Sequence, residues 1–232
     1  MVERTLPGNP PVPVTLRRSA RARRFSLRVS RLDGRVTLSM PARASEAEAL
    51  AFAGSKADWV RAILAGTAPR KVVATGQSVP FEGRALTITP AKVRAVRVEG
   101  DALLVPGDPA RFATRIEAFL KLAARQRLQA ESEGFAAALG RKVHAITLRD
   151  ARSRWGSCTH DGRLMYSWRL IMAPPEVLRY VAAHEVAHLR EMNHSPAFWA
   201  HVARLMPDYA RHRRWLRTHG NDLHALDFRR MD

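Results

Sequence analysis

The stretch Tyr180-Val181-Ala182-Ala183-His184-Glu185-Val186-Ala187-His188-Leu189 carries two histidines four residues apart, with a glutamate directly after the first. At 3.6 residues per turn, His184 and His188 stack on one helical face, so two imidazoles can reach one metal ion. Glu185 is rotated from that face by about 100°, which lets it address water on the metal rather than bind the metal itself. The helix around it, from Val177-Leu178 through Leu189, is apolar on nearly every side and should be buried. Two imidazoles and a carboxylate in such a helix are costly unless hydrogen bonds or a metal satisfy them. The alternative is a pair of hydrogen-bonded core histidines beside an exposed Glu185.

A zinc ion with three protein ligands keeps a fourth position for water and lowers the pKa of that water to about 7. Glu185 can then act as general base. The third ligand must come from elsewhere, and no glutamate follows Glu191. His194 is the leading candidate, with Asp208, His201 and His212 as alternatives. Asn193 can adopt a left-handed conformation and stop the helix. Ser195-Pro196 reads as N-cap and first residue of a further helix bearing Phe198, Trp199, Val202 and Leu205.

Upstream of the motif, Ile146 and Leu148 alternate, His160-Asp161-Gly162 supplies a turn, and residues 164 to 171 read as a return strand ended by Pro174-Pro175. Phe112, Ile116, Phe119, Leu120 and Leu128 recur at helical spacing up to a stop at Gly140. Short strands are expected at 85–89, 95–98 and 102–105. Residues 14 to 40 read as a β-hairpin turning at Leu32-Asp33-Gly34. A helix capped by Ser45, with Glu46 and Glu48 in its first turn, is expected to run to about residue 65. The boundary between a β-rich N-terminal region (1–108) and a catalytic core (109–232) is placed at Pro106-Gly107-Asp108-Pro109.

The chain has 232 residues and 46% hydrophobic content, enough for a proper core. No run of eighteen apolar residues suggests a membrane span, and residues 1–13 lack the apolar stretch of a secretory signal. A single cysteine, Cys158, rules out an internal disulfide framework, so a cytoplasmic location is expected. The formal net charge is +18, with arginine outnumbering lysine by 34 to 5. Such a surface raises non-specific affinity for nucleic acid, phosphates and acidic partners. The densest run, Arg17 to Arg24, leads into the strand-like alternation Phe25, Leu27, Val29 and reads first as a solvated strand face.

Several motifs together resemble the YgjP-like metal-dependent hydrolases, relatives of the SprT-like proteases. They are Arg154-Trp155-Gly156-Ser157-Cys158, Tyr180-Val181-x-x-His184-Glu185-x-x-His188-Leu189, Asn193-His194-Ser195-Pro196-x-Phe198-Trp199 and Pro207-Asp208-Tyr209. The spacing of the third histidine equals that of the metzincins, although Glu191 stands where they place a glycine. The resemblance implies an α+β fold with a zincin-like core, a twisted sheet packed on the helix that carries the two histidines. It also implies Zn2+ as cofactor, the third ligand on the following helix, and Trp155 and Ser157 near the metal. Trp155 packing a tight glycine turn is the plainer account of that stretch. Asp208 could accept from a ligand imidazole and Tyr209 could stabilise an oxyanion. A capping loop before a solvated basic helix is the plainer account of those two.

The leading functional expectation is a zinc metallopeptidase acting on protein or peptide. The resemblance to YgjP-like proteins also implies, as an alternative, a nucleoside triphosphate pyrophosphatase acting on UTP, although no glycine-rich phosphate loop is present. A basic nucleic-acid-binding protein with a structural zinc is another, but such a site requires a fourth protein ligand and leaves Glu185 without a task.

Overall fold

Along Val12-Pro13-Val14-Thr15-Leu16 the buried residues are Val12, Val14 and Leu16, the period of two of a strand with one face on a core. This segment belongs to the first of two compact units, Met1–Arg70 and Lys71–Asp232, in a computed structural model that describes residues 2–30, 34–66 and 71–228. Strands β1 (Val2–Leu6), β2 (Val12–Ser19), β3 (Ser26–Val29) and β4 (Val36–Pro41) form one sheet in the order β1-β2-β4-β3. β3 and β4 pair antiparallel, whereas β2 and β4 run parallel with Val14 opposite Val36. The hairpin expected over 14–40 is therefore confined to β3 and β4. Of its expected turn, Leu32-Asp33 lies outside the described residues and Gly34 has φ of 67°.

The helix expected from Ser45 to about 65 is two helices, α1 (Glu46–Gly54) and α2 (Ala57–Ala65). Ser45 Oγ accepts from the Glu48 N–H at 3.1 Å, and the Glu48 carboxylate accepts from the Ser45 N–H at 3.1 Å, a capping box. The break comes at Ser55, whose hydroxyl donates to the Phe52 carbonyl at 2.8 Å and competes with the helical ladder. Ala49, Ala53 and Val60 pack with Val14, Leu38 and Met40 in this unit's own core.

The second unit begins with β5 (Lys71–Val72), β6 (Ser78–Phe81), β7 (Arg84–Pro90), β8 (Arg97–Glu99) and β9 (Ala102–Val105), followed by α3 (Phe112–Ala138). β6-β7-β9-β8 form a sheet, and β7, β8 and β9 correspond to the three strands expected there. The boundary expected at residue 108 falls inside this unit. Val79, Leu86, Ile88, Leu103 and Val105 share one core with α3, because a small sheet with one apolar face needs that helix to cover it. Asp108 caps the turn between them, accepting from the Ala110 N–H at 2.9 Å. Along α3 the residues Phe112, Ile116, Leu120, Ala124 and Leu128 are buried at four-residue spacing, and Ser132 continues the stripe with a 3.0 Å hydrogen bond to the Tyr166 hydroxyl.

Next come β10 (Ala145–Arg149), β11 (Gly156–Cys158) and β12 (Arg163–Ser167), then α4 (Pro175–Ala187), α5 (Pro196–Leu205), α6 (Tyr209–His219) and β13 (Leu226–Asp227), which pairs with β5. Two strands were expected over 143–172, and the structure has three. β10 and β12 are parallel, and β11 lies antiparallel on the far side of β12. The return strand stops at Ser167, where a buried 3₁₀ turn, Trp168–Met172, takes over. Within that turn Arg169 is 6% exposed and serves as a staple. It donates to both Asp150 carboxylate oxygens at 2.6 and 3.1 Å and to the carbonyls of Leu223 and Leu226 at 2.9 and 3.1 Å. The fold is α+β, and among the described residues no helix is long and apolar enough to cross a membrane.

Candidate active site

Val177, Leu178, Val181, Ala182, Val186 and Ala187 bury α4 on most of its circumference, as its composition requires. His184 stands in its last turn and His188 is its C-cap residue. The His188 imidazole donates through Nδ1 to the Glu191 carbonyl at 2.9 Å, which leaves Nε2 free to bind a metal. The chain then reverses. Asn193 does not take the left-handed conformation expected of it, since Glu82 is the only described non-glycine residue with positive φ. Its side-chain oxygen accepts from the Ser195 N–H at 2.9 Å instead, and Ser195 Oγ accepts from the Phe198 N–H at 3.3 Å to start α5 at Pro196.

This turn brings His194 Nε2 to 3.1 Å from His184 Nε2. One ligand atom from each of His184, His188 and His194 lies within 4.8 Å of the others. Three nitrogens on a tetrahedral zinc at about 2.0–2.1 Å are separated by roughly 3.3 Å, so the cluster fits such an ion after small side-chain adjustment. Phe198 is fully buried beneath the cluster, its ring centroid 4.9, 4.4 and 4.8 Å from those of His184, His188 and His194. Burial, then the neighbouring imidazoles, push the His184 pKa down to about 3. Burial also lowers that of His188, against the Glu191 hydrogen bond. Both are thereby held neutral, the form that ligates metals. The His184 Nδ1 is buried with no hydrogen-bond partner.

Glu185 is 5% exposed, and burial pushes its carboxyl up to about 8, with Arg154 acting in the opposite direction. Its neighbour is the edge strand β11. A Cβ added to Gly156 would sit 2.5 Å from Glu185 Oε1, so only glycine lets the strand and the carboxylate approach this closely. Glu185 and the three histidines share a cleft of about 460 Å³ that Arg154, Ser157 and Cys158 also line. The Cys158 thiol is pushed up to about 11, by burial first and then by Glu185, so it is a poor nucleophile there.

Of the remaining expected site residues, Ser157 lines this cleft. Trp155 lines an adjoining pocket of about 230 Å³ with Tyr180, His184, Glu185 and Leu216, and its ring packs on His224 at 5.0 Å. Asp208 does not bond a cluster imidazole. It accepts from His212 Nε2 at 2.8 Å, one turn along its own helix, and neither residue belongs to the histidine cluster. Tyr209 stacks between Tyr180 and Trp199, at 6.4 and 5.3 Å between centroids. Gly156 and Phe198 were legible only as members of motifs. Their work, making room for Glu185 and backing three imidazoles, depends on contacts across elements.

Residues 23–219 match the family described as YgjP-like, metallopeptidase domain. No curated protein matches the chain. Among solved structures, the chain is similar to the metallopeptidase zymogen of Pyrococcus abyssi abylysin at 19% identity, over 39% of this chain and 93% of that one, with a TM-score of 0.36. That likeness is too slight to define the fold.

Proposed function

Because the chain belongs to the YgjP-like metallopeptidase family, we propose that it is a zinc-dependent peptidase with a zincin-like core, in which His184, His188 and His194 hold Zn2+ and Glu185 is the general base. The observation that carries this reading is the convergence of three imidazole nitrogens beside a buried carboxylate on one wall of an open cleft. A divalent metal held there supplies a Lewis acid that polarises the scissile carbonyl and acidifies water. Glu185, buried beside the three imidazoles, takes the proton of the attacking water and returns it to the leaving amine. Gly156 gives the carboxylate its place, and Phe198 keeps the imidazoles converged. Protein or peptide is the substrate class, and a single free thiol fits a reducing, cytoplasmic setting.

A structural zinc would need a fourth protein ligand, and among the described residues the cluster offers three. No observation favours nucleotide or nucleic acid as the substrate.

The test is cleavage of a peptide library by the zinc-loaded protein beside Glu185→Gln. We expect the variant to retain one zinc per chain and lose 10²- to 10⁴-fold in cleavage, the usual contribution of a general base. Cleavage by Glu185→Gln at the wild-type rate would remove Glu185 from the role.

A further inference from the structure

The β10-β12-β11 sheet buries one face and leaves the other open. Ile146 and Leu148 of β10 and Leu164 and Tyr166 of β12 are paired across the sheet and point into the core. The alternate residues, Ala145, Thr147 and Arg149 with Arg163 and Met165, point the other way, and Ser157 of β11 stands opposite Met165 in the same row. On this outer face lies a groove of about 520 Å³ lined by Ala145, Thr147, Ser157 and the central Met165, together with Arg149, Arg154 and Arg163. Arg154 and Ser157 also line the cleft of the three histidines. Groove and cleft therefore meet at β11.

The charge of this groove is one-sided. Arg163 is shared with Asp161 at 2.6 Å, and Asp150 is taken by Arg169. Arg149 and Arg154 are both exposed, and the carboxylate that Arg154 acts on is Glu185, inside the cleft rather than in the groove. A groove lined, among the described residues, by three guanidinium forks and no carboxylate, and joined to a candidate peptidase cleft, favours carboxylates as its occupants.

We propose that this outer sheet face is a substrate-binding groove for acidic peptide segments, in which Asp and Glu side chains on one side of the scissile bond rest on Arg149, Arg154 and Arg163. The proposal rests on the peptidase reading above and adds its specificity. Arg154 guides the segment out of the cleft, and Arg149 and Arg163 bracket the groove beyond it. Being solvated, each contact is individually weak and salt-sensitive, so the preference comes from several acidic residues acting together.

Two measurements on the full chain test this. In the first, the zinc-loaded protein digests a library of proteome-derived peptides, and the cut sites are read by mass spectrometry. Cut sites should be enriched in Asp and Glu on one side of the scissile bond, and an Arg149→Glu/Arg163→Glu double variant should lose that enrichment. In the second, Glu185→Gln binds a fluorescein-labelled peptide rich in Glu, beside its twin carrying Gln at those positions, followed by anisotropy at low and high salt. The Glu peptide should bind roughly tenfold tighter at low salt, and the gap should close at high salt and in the double variant.

Cleavage without acidic enrichment, together with equal binding of the two peptides, overturns the groove and leaves the peptidase reading standing. No cleavage of any peptide overturns the peptidase reading and this proposal with it. A short single-stranded oligodeoxynucleotide that outcompetes the Glu peptide, and is itself lost in the double variant, assigns the face to nucleic acid and also overturns the proposal.

Discussion

Replacing Gly156 by alanine introduces one methyl group between β11 and Glu185. Its three nearest neighbours would all be atoms of that side chain, Oε1 at 2.5 Å, Cγ at 2.6 Å and Cδ at 2.7 Å. Ordinary contact between such atoms begins at about 3.5 Å, so the carboxylate or the strand must retreat by roughly 1 Å. Gly156 does not lie in the left-handed region, so alanine brings no backbone strain of its own and the effect is steric. A shift of about 1 Å in a catalytic group can cost 10²-fold in rate, and we expect a loss of that order in kcat/KM. Overpacking of this kind also destabilises by about 1–3 kcal/mol. None of the nearest atoms belongs to a histidine, so zinc content should be unchanged. Peptide-cleavage kinetics, metal analysis and urea unfolding read the three effects separately. The decisive comparison is a double-mutant cycle with Glu185→Ala, which removes the three atoms nearest the new methyl. In that background Gly156→Ala should cost close to nothing, giving a coupling of about 1–3 kcal/mol. An alanine variant that cleaves at the wild-type rate, or one equally destabilised in both backgrounds, would refute the argument.

Alanine at His184, His188 or His194 should each lower zinc affinity sharply, seen as lost metal after gel filtration and lost thermal stabilisation by added zinc, which at a hundredfold excess over Kd is worth about 2.7 kcal/mol. Asp208→Ala should leave zinc content intact, because its carboxylate serves His212 rather than the cluster. Arg169→Ala strands the carbonyls of Leu223 and Leu226, while Asp150, 44% exposed, stays solvated. We expect a loss of roughly 1–3 kcal/mol in urea unfolding, with Arg169→Lys in between. His224 links stability to pH. Burial, then Arg169, depress its pKa from 6.5 to about 4 against the pull of Asp150. The unfolded chain therefore takes up a proton that the folded chain refuses, so this contribution is present above pH 6.5 and lost as pH falls to about 4. The linked change is at most about 3 kcal/mol, and less in practice because the ring is partly exposed. His224→Gln should flatten the stability profile over that window, and an unchanged slope in denaturant titrations would remove His224 as its source.

Much of the histidine cluster could be read from residue order alone, because its determinants are local. Four-residue spacing puts His184 and His188 on one face of any helix, whatever surrounds it. Asn193-His194-Ser195-Pro196 carries its own turn and cap chemistry, so the reversal that delivers His194 was legible, although Asn193 achieves it through a side-chain hydrogen bond rather than a left-handed backbone. The four-residue stripe of α3 and the capping box at Ser45 are equally local.

Pairing across distance was not legible. A strand as short as Gly156–Cys158 is too brief to show a period and reads as a glycine turn until β12 lies beside it. Nothing near residue 108 reveals that β6 to β9 need α3 to cover them, so a turn passed for a domain boundary. The placement of Gly156 against Glu185, of Phe198 beneath three imidazoles, and of Arg149, Arg154 and Arg163 around one groove joins elements far apart in the chain. Residue order by itself determined which groups could share a metal, because helical geometry is the same everywhere. Only the tertiary structure decided which ring and strand edge surround that cluster, because packing is settled between elements whose contacts leave no local trace.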